Sequence, residues 1–193
     1  MNEKEILNRV EKGIIEGPFL PEWGSLMEQE IPEWFAKEKL GIFIHWGLYS
    51  VPAYSNEWYS RNMYIKGMPA YEYHRKVYGD QKDFGYQDFI PLFRAEKFDA
   101  AEWIALFRDA GAGYVFPVAE HHDGFQMYRS DLSKWNAAEM GPKKDILLAL
   151  KKEAERAGLH FCTSSHRAEH FFFMGHGREF DSDVKAPMKK GDF

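Results

Sequence analysis

Three short apolar runs that alternate with amphipathic segments limit the folds open to this chain of 193 residues. The runs cover Leu40–His45, Tyr114–Ala119 and Leu159–Thr163, and we predict a strand over each. The first run is apolar without a break, which is typical of a parallel strand buried on both faces. The length of the chain suffices for one domain with a sizeable core.

Two amphipathic helices are predicted between these strands. Asp99, followed three residues later by Glu102, is typical of a helix N-terminus, and Gly111 is placed to end that helix. The second helix follows Gly141–Pro142, has an apolar face and ends at Gly158. The order β-α-β-α-β implies an α/β fold in which right-handed crossovers connect the strands of a parallel sheet.

Shorter helical segments are predicted outside this pattern. Residues 3–16 have apolar positions at helical spacing, which predicts a helix in a peripheral segment, residues 1–30. A helical turn is expected at Pro32–Phe35, and two more near Tyr71–Val77 and Tyr86–Phe93. The last two lie in a long connection, from Trp46 to about Ala95, and loops of such length are usually functional.

The sequence after Thr163 predicts no further strand. A polar and aromatic loop, Ser164–Phe173, precedes a charged stretch that runs to Phe193. No internal repeat or domain linker is visible, so we treat residues 1–193 as one portion of a single domain.

Histidines mark the end of every predicted strand. The three ends are His45–Trp46, Glu120–His122 and Ser164–His166, whereas the opposite ends are Lys39–Leu40, Gly113 and Gly158. Ligands of parallel α/β folds bind at the C-terminal ends of the strands. The asymmetry therefore predicts a site at that edge of the sheet.

The histidines allow three interpretations. One is a metal site made by His45, His121 and His122 with Glu120 or Asp123. Adjacent histidines on an extended segment point to opposite faces, so His121 and His122 would fit one ion poorly unless a turn intervenes. The second is a pocket for a neutral, hydroxyl-rich ligand such as a sugar. The third is that the histidines are satisfied core or loop residues.

Individual residues fit these interpretations to different degrees. His45 and His122 fit a ligand site best, whereas His121 fits a brace for the strand end equally well. Trp46 and Trp58 have the flat rings that stack on a sugar, but burial in the core explains them equally. Further candidates on loops are Glu57, His166 and Glu169, while Asp123–Gly124 has the composition of a simple turn.

Composition and charge limit the classes of binding partner that the chain is expected to have. The formal net charge is −5 with scattered basic residues, which argues against a nucleic acid or an anionic membrane surface. Aromatic residues make up 17% of the chain, and an aromatic core and a sugar-binding cleft explain them equally well. Cys162 is the single cysteine, so no internal disulfide is expected. With neither a signal sequence nor a long apolar run visible, a cytoplasmic protein is the expectation.

Several separated motifs resemble those of the family 29 glycoside hydrolases, the retaining α-L-fucosidases. They appear in the order found in that family and span the chain from about Trp34 to Gly158. In this sequence they are Lys39–Ala53, Glu57–Tyr59, His121–Phe125, Trp135–Asn136 and Gly141–Asp145.

The resemblance implies a fold, an activity and a set of binding residues. The fold is a (β/α)8-like TIM barrel, of which this chain supplies roughly the first three βα units. The activity is removal of terminal α-L-fucose from a fucosylated glycan, without a metal or other cofactor. The residues that match sugar-binding positions of the family are His45, Glu57, Trp58, His121 and His122; at the third strand many relatives have Tyr-Tyr-Ser where this chain has Ser164–His166.

The resemblance also implies that the catalytic pair is not in this chain. Retaining glycosidases use two carboxyl groups about 5–5.5 Å apart, a nucleophile and an acid/base. The family motif for the nucleophile is missing here, so we expect both groups beyond Phe193. A complete barrel needs about 250 residues. We therefore expect a second chain or a further C-terminal segment to complete an enzyme that is inactive without it.

Two other functions remain open at the level of sequence. One is a non-catalytic fucose- or carbohydrate-binding protein on a degenerate barrel, and the other is a metal-dependent hydrolase that uses the histidine cluster.

Overall fold

The computed structural model describes residues 2–170, in two compact units that divide after Lys39. The expectations for Phe171–Phe193 lie outside the described residues. The first unit contains three helices, α1 (Glu3–Glu16), α2 (Trp23–Leu26) and α3 (Glu33–Lys37). Asn2 caps α1, since its side chain accepts a hydrogen bond from the Glu5 N–H and the Glu5 carboxylate accepts one from the Asn2 N–H. The predicted helix over residues 3–16 and the turn near Pro32 are confirmed.

The second unit, from Leu40 onwards, contains the sheet and its helices. Its strands are β1 (Gly41–Ile44), β2 (Tyr114–Glu120), β3 (His160–Phe161) and β4 (Ser164–Ser165), and its α-helices are α4 (Tyr59–Asn62), α5 (Pro69–Val77), α6 (Ala100–Asp109) and α7 (Ile146–Ala157). Three 3₁₀ helices cover Leu48–Ser50, Tyr86–Leu92 and Arg167–Glu169. Among the helices of residues 2–170, none has the length and apolar character needed to cross a membrane.

The sheet is parallel, which confirms the predicted α/β arrangement. β2 is central, with β1 on one side and with β3 and β4 on the other. Gly41 pairs with Tyr114, whose ring lies so close that a Cβ at Gly41 would come within 2.0 Å of it. A glycine is therefore required where the aromatic ring crosses the edge strand.

The third predicted strand is divided in two around Pro117 of β2. Gly113 and Val115 accept hydrogen bonds from His160 and Cys162, so every second residue of β2 faces this neighbour. Pro117 is next in that series and has no N–H to donate. Pairing resumes only at β4, which corrects the expectation that a loop begins at Ser164.

The prediction that the first strand is buried on both faces is wrong. Phe43 of β1 is 51% exposed, while Ile42 and Ile44 pack against the core. Alternate side chains of a strand point to opposite faces, so β1 has one covered face and one open face in the described part of the chain. His45, two residues after Phe43, follows on the open side, and the two rings are 4.4 Å apart.

The helices between the strands begin and end as their sequences predict. The Asp99 carboxylate accepts hydrogen bonds from the N–H groups of Ala101 and Glu102, and Gly158 ends α7 in a left-handed conformation. Both helices, the sheet and the long connection contribute side chains to one core. The most deeply buried residues of this core include Leu48, Tyr59, Met63, Phe89, Ile104, Val115, Ile146 and Leu150.

The long connection after β1 contributes many aromatic side chains to this core, which accounts for much of the aromatic content of the chain. Tyr54 stacks on Tyr73 at 3.9 Å. His74 is fully buried and bridges the Tyr59 hydroxyl, at 2.9 Å, and the carbonyl of Phe84, at 2.8 Å. This connection is therefore a packed element that lies against the rest of the core.

Replacing Asp99 by alanine should lower the free energy of unfolding by about 1 kcal/mol, the usual effect of losing an N-cap side chain. The cause is that two N–H groups at the start of α6 lose their acceptor. A urea titration of the full chain would measure the change.

Asp109→Ala at the other end of α6 is the matched control. Its carboxylate is exposed and pairs only with Arg108 in the described contacts, so this change should leave the midpoint nearly unchanged. Equal effects of the two substitutions would contradict the capping role of Asp99.

Candidate functional site

Histidines from three strand ends meet at one edge of the sheet. His45 follows β1, His121 follows β2 and His166 follows β4. The ring centroids are 5.7 Å apart for His45 and His121, 6.3 Å for His45 and His166, and 4.4 Å for His121 and His166. Parallel pairing has thus gathered imidazoles that are more than 40 residues apart in sequence, and we call these three residues with His122 the histidine cluster.

A turn after β2 brings both adjacent histidines into this cluster. The Gly124 N–H donates to the His121 carbonyl at 3.1 Å, and Gly124 has φ +73°. The rings of His121 and His122 are therefore 4.7 Å apart and nearly perpendicular. The turn that a shared metal site would require is therefore present, although no potential ligand set among the described residues contains both histidines.

His122 is linked to the loop that carries His166. Its Nε2 lies 3.3 Å from Nδ1 of His166, one nitrogen donating and the other accepting, and its Nδ1 lies 3.7 Å from a Glu169 oxygen. Burial and the neighbouring His166 lower the pKa of His122, an effect that the charges of Glu169 and Glu57 partly oppose. The structure thus places Glu169 and Glu57 near the cluster as well.

An ion pair between a buried carboxylate and a half-exposed guanidinium fixes the loop after β4. Glu120 is 1% exposed, and its carboxylate accepts from the Arg167 guanidinium at 2.5 Å and from the Gln126 amide at 3.1 Å. The Glu120 carbonyl accepts from the His166 N–H at 2.9 Å. Glu120 therefore holds the third strand end in place and is not directed to a ligand by these contacts.

Asp123 has a structural partner of its own. It accepts from the Tyr86 hydroxyl at 2.7 Å and from the Phe125 N–H at 3.1 Å. Burial raises the pKa of Asp123 to about 6, although these hydrogen bonds act in the opposite direction. The interpretation of Asp123–Gly124 as a turn agrees with the hydrogen bond that closes it.

His170 closes over the same turn. Its Nδ1 lies 2.5 Å from the His122 carbonyl, and its ring would come within 3.0 Å of a Cβ at Gly124. A side chain at position 124 would therefore meet the His170 ring as well as strain the backbone.

Tyr49 and His121 carry polar atoms that the described structure does not satisfy. The Tyr49 hydroxyl and Nδ1 of His121 are buried and have no hydrogen-bond partner among residues 2–170. Burial, with Asp123 and Glu57 nearby, raises the pKa of Tyr49, and burial among the other histidines lowers the pKa of His121 to about 3. Both groups are neutral near pH 7, and their rings are 5.1 Å apart.

Tyr49 was not found by sequence reasoning. It lies in a 3₁₀ turn four residues after His45, and nothing distinguishes it from the other nine tyrosines of the chain. Phe43 was missed too, because its exposure depends on which face of β1 is covered.

Glu57 and Trp58 lie on the loop before α4. Glu57 is half-buried and close enough to Tyr49 and His122 for its charge to raise the pKa of both. Ala53 and Ser55 adopt left-handed conformations in this loop, which cost about 1–2 kcal/mol each for residues with a Cβ. The Trp58 side chain is 45% exposed, so the structure leaves part of its surface accessible.

Trp46 does not join the histidines. Its ring packs on Phe93, Phe98 and Trp103, with centroid distances of 5.2, 5.4 and 5.2 Å. Neighbouring residues at the end of a strand point to opposite sides, so Trp46 faces the core while His45 faces the open side. The structure therefore explains Trp46 by packing.

Among residues 2–170, two sets of side chains have the spacing of metal ligands. One is His45, His121 and His166, and the other is His122, His166 and Glu169; in each, one ligand atom per residue lies within 4.8 Å of the others. The set expected from sequence differs, since Glu120 and Asp123 are held by Arg167 and Tyr86.

Comparison with known proteins identifies the family. A family model described as alpha-L-fucosidase matches residues 7–189. The chain belongs to the α-L-fucosidase family. Curated relatives of this α-L-fucosidase family member include human plasma alpha-L-fucosidase, 41% identical over 135 residues, and a Dictyostelium discoideum alpha-L-fucosidase, 39% identical over 148 residues.

These relatives are longer than the chain. The matches cover 69% and 72% of this chain but only 28% and 32% of the human and Dictyostelium proteins. The α-L-fucosidase family member described here thus spans about a third of the length of its curated relatives.

Solved structures of α-L-fucosidases share the fold. The Thermotoga maritima alpha-fucosidase in complex with fucose has a TM-score of 0.72 at 43% identity, over 76% of this chain and 37% of that one. An alpha-L-fucosidase from Lactobacillus casei in complex with alpha-L-fucose has a TM-score of 0.54 at 29% identity, over 69% and 40%.

Asp123→Asn should change how stability depends on pH. The folded-state pKa of Asp123, about 6, lies above its ordinary value of 3.8, so the folded state binds this proton more tightly than the unfolded state. The free energy of unfolding therefore falls as the pH rises from the ordinary pKa of 3.8 through the folded-state pKa of about 6, by on the order of 2–3 kcal/mol. The asparagine variant should gain in urea midpoint relative to the parent between about pH 4 and pH 7.

Asp83→Asn, which removes an exposed carboxylate, is the control and should leave the pH profile unchanged. His121 contributes an opposite slope in both proteins because its pKa is lowered, so the difference between the two profiles isolates Asp123. Parallel profiles for Asp123→Asn and the parent would contradict the raised pKa.

Proposed function

We propose that this chain supplies the fucose-binding part of an α-L-fucosidase that removes terminal α-L-fucose from glycans. The observation that carries the proposal is the pair of buried polar atoms beside the histidine cluster, the Tyr49 hydroxyl and Nδ1 of His121, without partners in the described residues. Buried polar groups are almost always hydrogen-bonded in a working protein. Sugar hydroxyls would satisfy them.

The groups around the cluster suit a small neutral sugar. The neutral His121 offers one donor and one acceptor, and the protonated Tyr49 hydroxyl can do both. The carboxylate of Glu57 accepts from two hydroxyls. His45 and His122 add further ring nitrogens, and the exposed face of Trp58 can stack on the apolar side of a pyranose.

Phe43 favours fucose over sugars that carry a hydroxymethyl group. Its exposed ring lies 4.4 Å from the ring of His45, on the open side of β1. Fucose differs from galactose in having a methyl group at C5 instead of a hydroxymethyl group. An apolar surface beside hydrogen-bonding histidines matches a methyl group beside ring hydroxyls.

The completed enzyme acts by double displacement with retention. A carboxylate attacks the anomeric carbon while a second carboxyl group protonates the leaving oxygen, and water then releases fucose from the enzyme. The histidine cluster and Glu57 hold the hydroxyls and favour the oxocarbenium-like transition state.

We assign neither carboxyl role to this chain. Glu120 is held by Arg167 and Asp123 by Tyr86, so neither is placed for attack or proton transfer by its described contacts. The catalytic pair is supplied by the part of the barrel that adds strands to the sheet, in a further segment or in a second chain. The outer edge of β1 has no partner among residues 2–170 and is one place where that part joins.

Glu57→Gln should weaken fucose binding by about tenfold, because a charge-assisted hydrogen bond contributes more than a neutral one. Calorimetric titration of fucose into the purified chain, with any chain that co-purifies, measures this. Glu72→Gln on α5 is the matched control, since Glu72 is exposed on a helix and should not affect the affinity.

The same preparations test whether this chain binds fucose while another part of the enzyme supplies the catalytic carboxyl groups. The chain alone should bind fucose without hydrolysing 4-nitrophenyl α-L-fucoside, and hydrolysis by the chain alone would overturn the absent catalytic pair. Binding without turnover in the completed protein would instead favour a non-catalytic fucose-binding protein.

Phe43→Ala should reduce the preference for L-fucose over L-galactose. One methyl group in an apolar pocket discriminates by about 10- to 200-fold, so the ratio of the two affinities should fall towards one. Leu92→Ala, at an exposed residue outside the cluster, should leave the ratio unchanged. A ratio unaffected by Phe43→Ala would remove Phe43 from the methyl-binding surface.

A further inference from the structure

We infer that Tyr73 and His74 of α5 are positioning residues for the sugar site, because they hold the two ends of the segment that carries Glu57 and Trp58. This segment covers residues 54–59, and we call it the Glu57 segment. The inference rests on the proposed function and deepens it, since it states what fixes two of the proposed sugar-binding residues.

The first end of the Glu57 segment is held by ring stacking. The rings of Tyr54 and Tyr73 are 3.9 Å apart at an interplanar angle of 7°. Both residues are half-buried and pack against the core of the second unit. A ring that moves out of such a stack loses contact over its whole face, so the stack fixes the point at which the chain enters the segment.

The second end is held by a hydrogen bond whose direction the structure determines. Nε2 of His74 lies 2.8 Å from the Phe84 carbonyl, which can only accept, so Nε2 carries the proton. Nδ1 is then the acceptor for the Tyr59 hydroxyl at 2.9 Å. Burial lowers the pKa of His74, so the ring is neutral near pH 7 and keeps this acceptor. Because His74 and Tyr59 are fully buried, breaking the bond would leave polar atoms without water.

The helix that follows the segment is fixed at its other end. α4 begins at Tyr59, and the Met63 carbonyl after it accepts a hydrogen bond from the Gln81 amide at 2.7 Å. Tyr59, Met63 and Gln81 are each no more than 1% exposed. Loss of the bond to His74 would therefore loosen the start of α4, where the Glu57 segment ends, and leave the far end of α4 in place.

The backbone of the Glu57 segment requires this restraint. Ser55 has φ +66°, a left-handed conformation that persists in a residue with a Cβ only where the surroundings determine it. The side chains of Ser55 and Asn56 are exposed and provide little packing. The N–H groups of Trp58 and Tyr59 donate to Asn56, so these hydrogen bonds lie within the segment and do not attach it to the core. The two ends therefore provide the attachment.

The position of Glu57 determines what its carboxylate can bind. Glu57 is half-buried, and its charge acts on Tyr49 and His122. A hydrogen bond from a sugar hydroxyl to this carboxylate requires an O···O distance of about 2.5–3.0 Å. A segment that is fixed before the sugar arrives strengthens binding, because less freedom is lost on association.

Fucose titration into variants of the full chain, with any chain that co-purifies, tests the role of His74. Tyr59→Phe and His74→Gln should each weaken fucose binding by about three- to tenfold, at most the loss expected for Glu57→Gln, through which they act. In a Glu57→Gln background, Tyr59→Phe should have a smaller effect, because coupled residues are not additive. An equal loss in both backgrounds would reduce His74 to a core residue and overturn the inference.

Matched replacements separate the two contacts from a general loss of packing. His74→Asn places an amide oxygen near the position of Nδ1 and should keep more affinity than His74→Gln, whose amide reaches the position of Nε2. Tyr73→Phe keeps the ring that stacks on Tyr54, whereas Tyr73→Leu removes it, and only Tyr73→Leu should weaken binding. Ile104→Val loosens the same core in α6, away from α5, and should leave the affinity unchanged.

Hydrogen exchange provides a readout that requires no sugar. The amides of Trp58 and Tyr59 should exchange faster in His74→Gln and Tyr73→Leu than in the parent, and Ile104→Val should leave them unchanged. Unchanged exchange in both α5 variants would overturn the hold of α5 on the segment. Faster exchange with unchanged fucose affinity would overturn its role towards the sugar.

The two measurements also keep this inference distinct from the proposed function. A parent chain that binds no fucose would overturn the proposed function and, with it, the role of α5 towards the sugar. The exchange rates would then still decide whether Tyr73 and His74 hold the Glu57 segment.

Discussion

Parallel pairing on both sides of β2 is the constraint on which the site depends. Strands that run in one direction end at one edge, so residues after β1, β2 and β4 meet without any direct link in sequence. The buried carboxylate of Glu120 then joins the ends of β2 and β4 by binding Arg167, while its carbonyl binds the His166 N–H. A carboxylate that is 1% exposed is destabilising without its cation, so the loop that carries His166 and the end of β2 are fixed together.

This arrangement separates polar side chains that protein contacts hold from polar side chains with buried atoms that lack a partner in the described structure. Glu120 and Asp123 have their hydrogen-bonding capacity taken up by Arg167, Tyr86 and backbone groups, although their charges made them candidates. Tyr49 and His121 are neutral and keep buried polar atoms without a partner in the described structure. Tyr49 and His121 therefore offer neutral donors and acceptors at this edge, with Glu57 and Glu169 as the nearby charges.

The sequence predicts the elements better than the side-chain directions. Helix boundaries at Asp99 and Gly158 depend on local hydrogen bonds and backbone conformation, which neighbouring residues determine. The exposure of Phe43 depends on what covers one face of a sheet, and no local pattern encodes that. The turn at His121 could not be separated from a continued strand, because its closing hydrogen bond to Gly124 is visible only in three dimensions.

The candidate site shows the same difference between what the sequence predicts and what only the three-dimensional structure reveals. Residues placed by a strand end, such as His45, were predictable because parallel sheets bind ligands at that edge. Trp46 has the same position in the pattern, yet it packs on three aromatic rings, since the next residue along points the other way. Tyr49 reaches the site because it lies in a 3₁₀ turn, Leu48–Ser50, and the local sequence does not predict this turn.

The missing N–H of Pro117 has a consequence for how this edge can change over time. Because the ladder pauses at that residue, β3 and β4 pair with β2 separately, and the segment with His166 is attached through β4 and through the contacts of His166 and Arg167 with Glu120. Substitutions after the pause act on the segment beside the histidine cluster and leave the pairing of β3 with β2 in place. Pro117 thus marks the boundary between the part of the third strand that pairs with the start of β2 and the part that leads to His166.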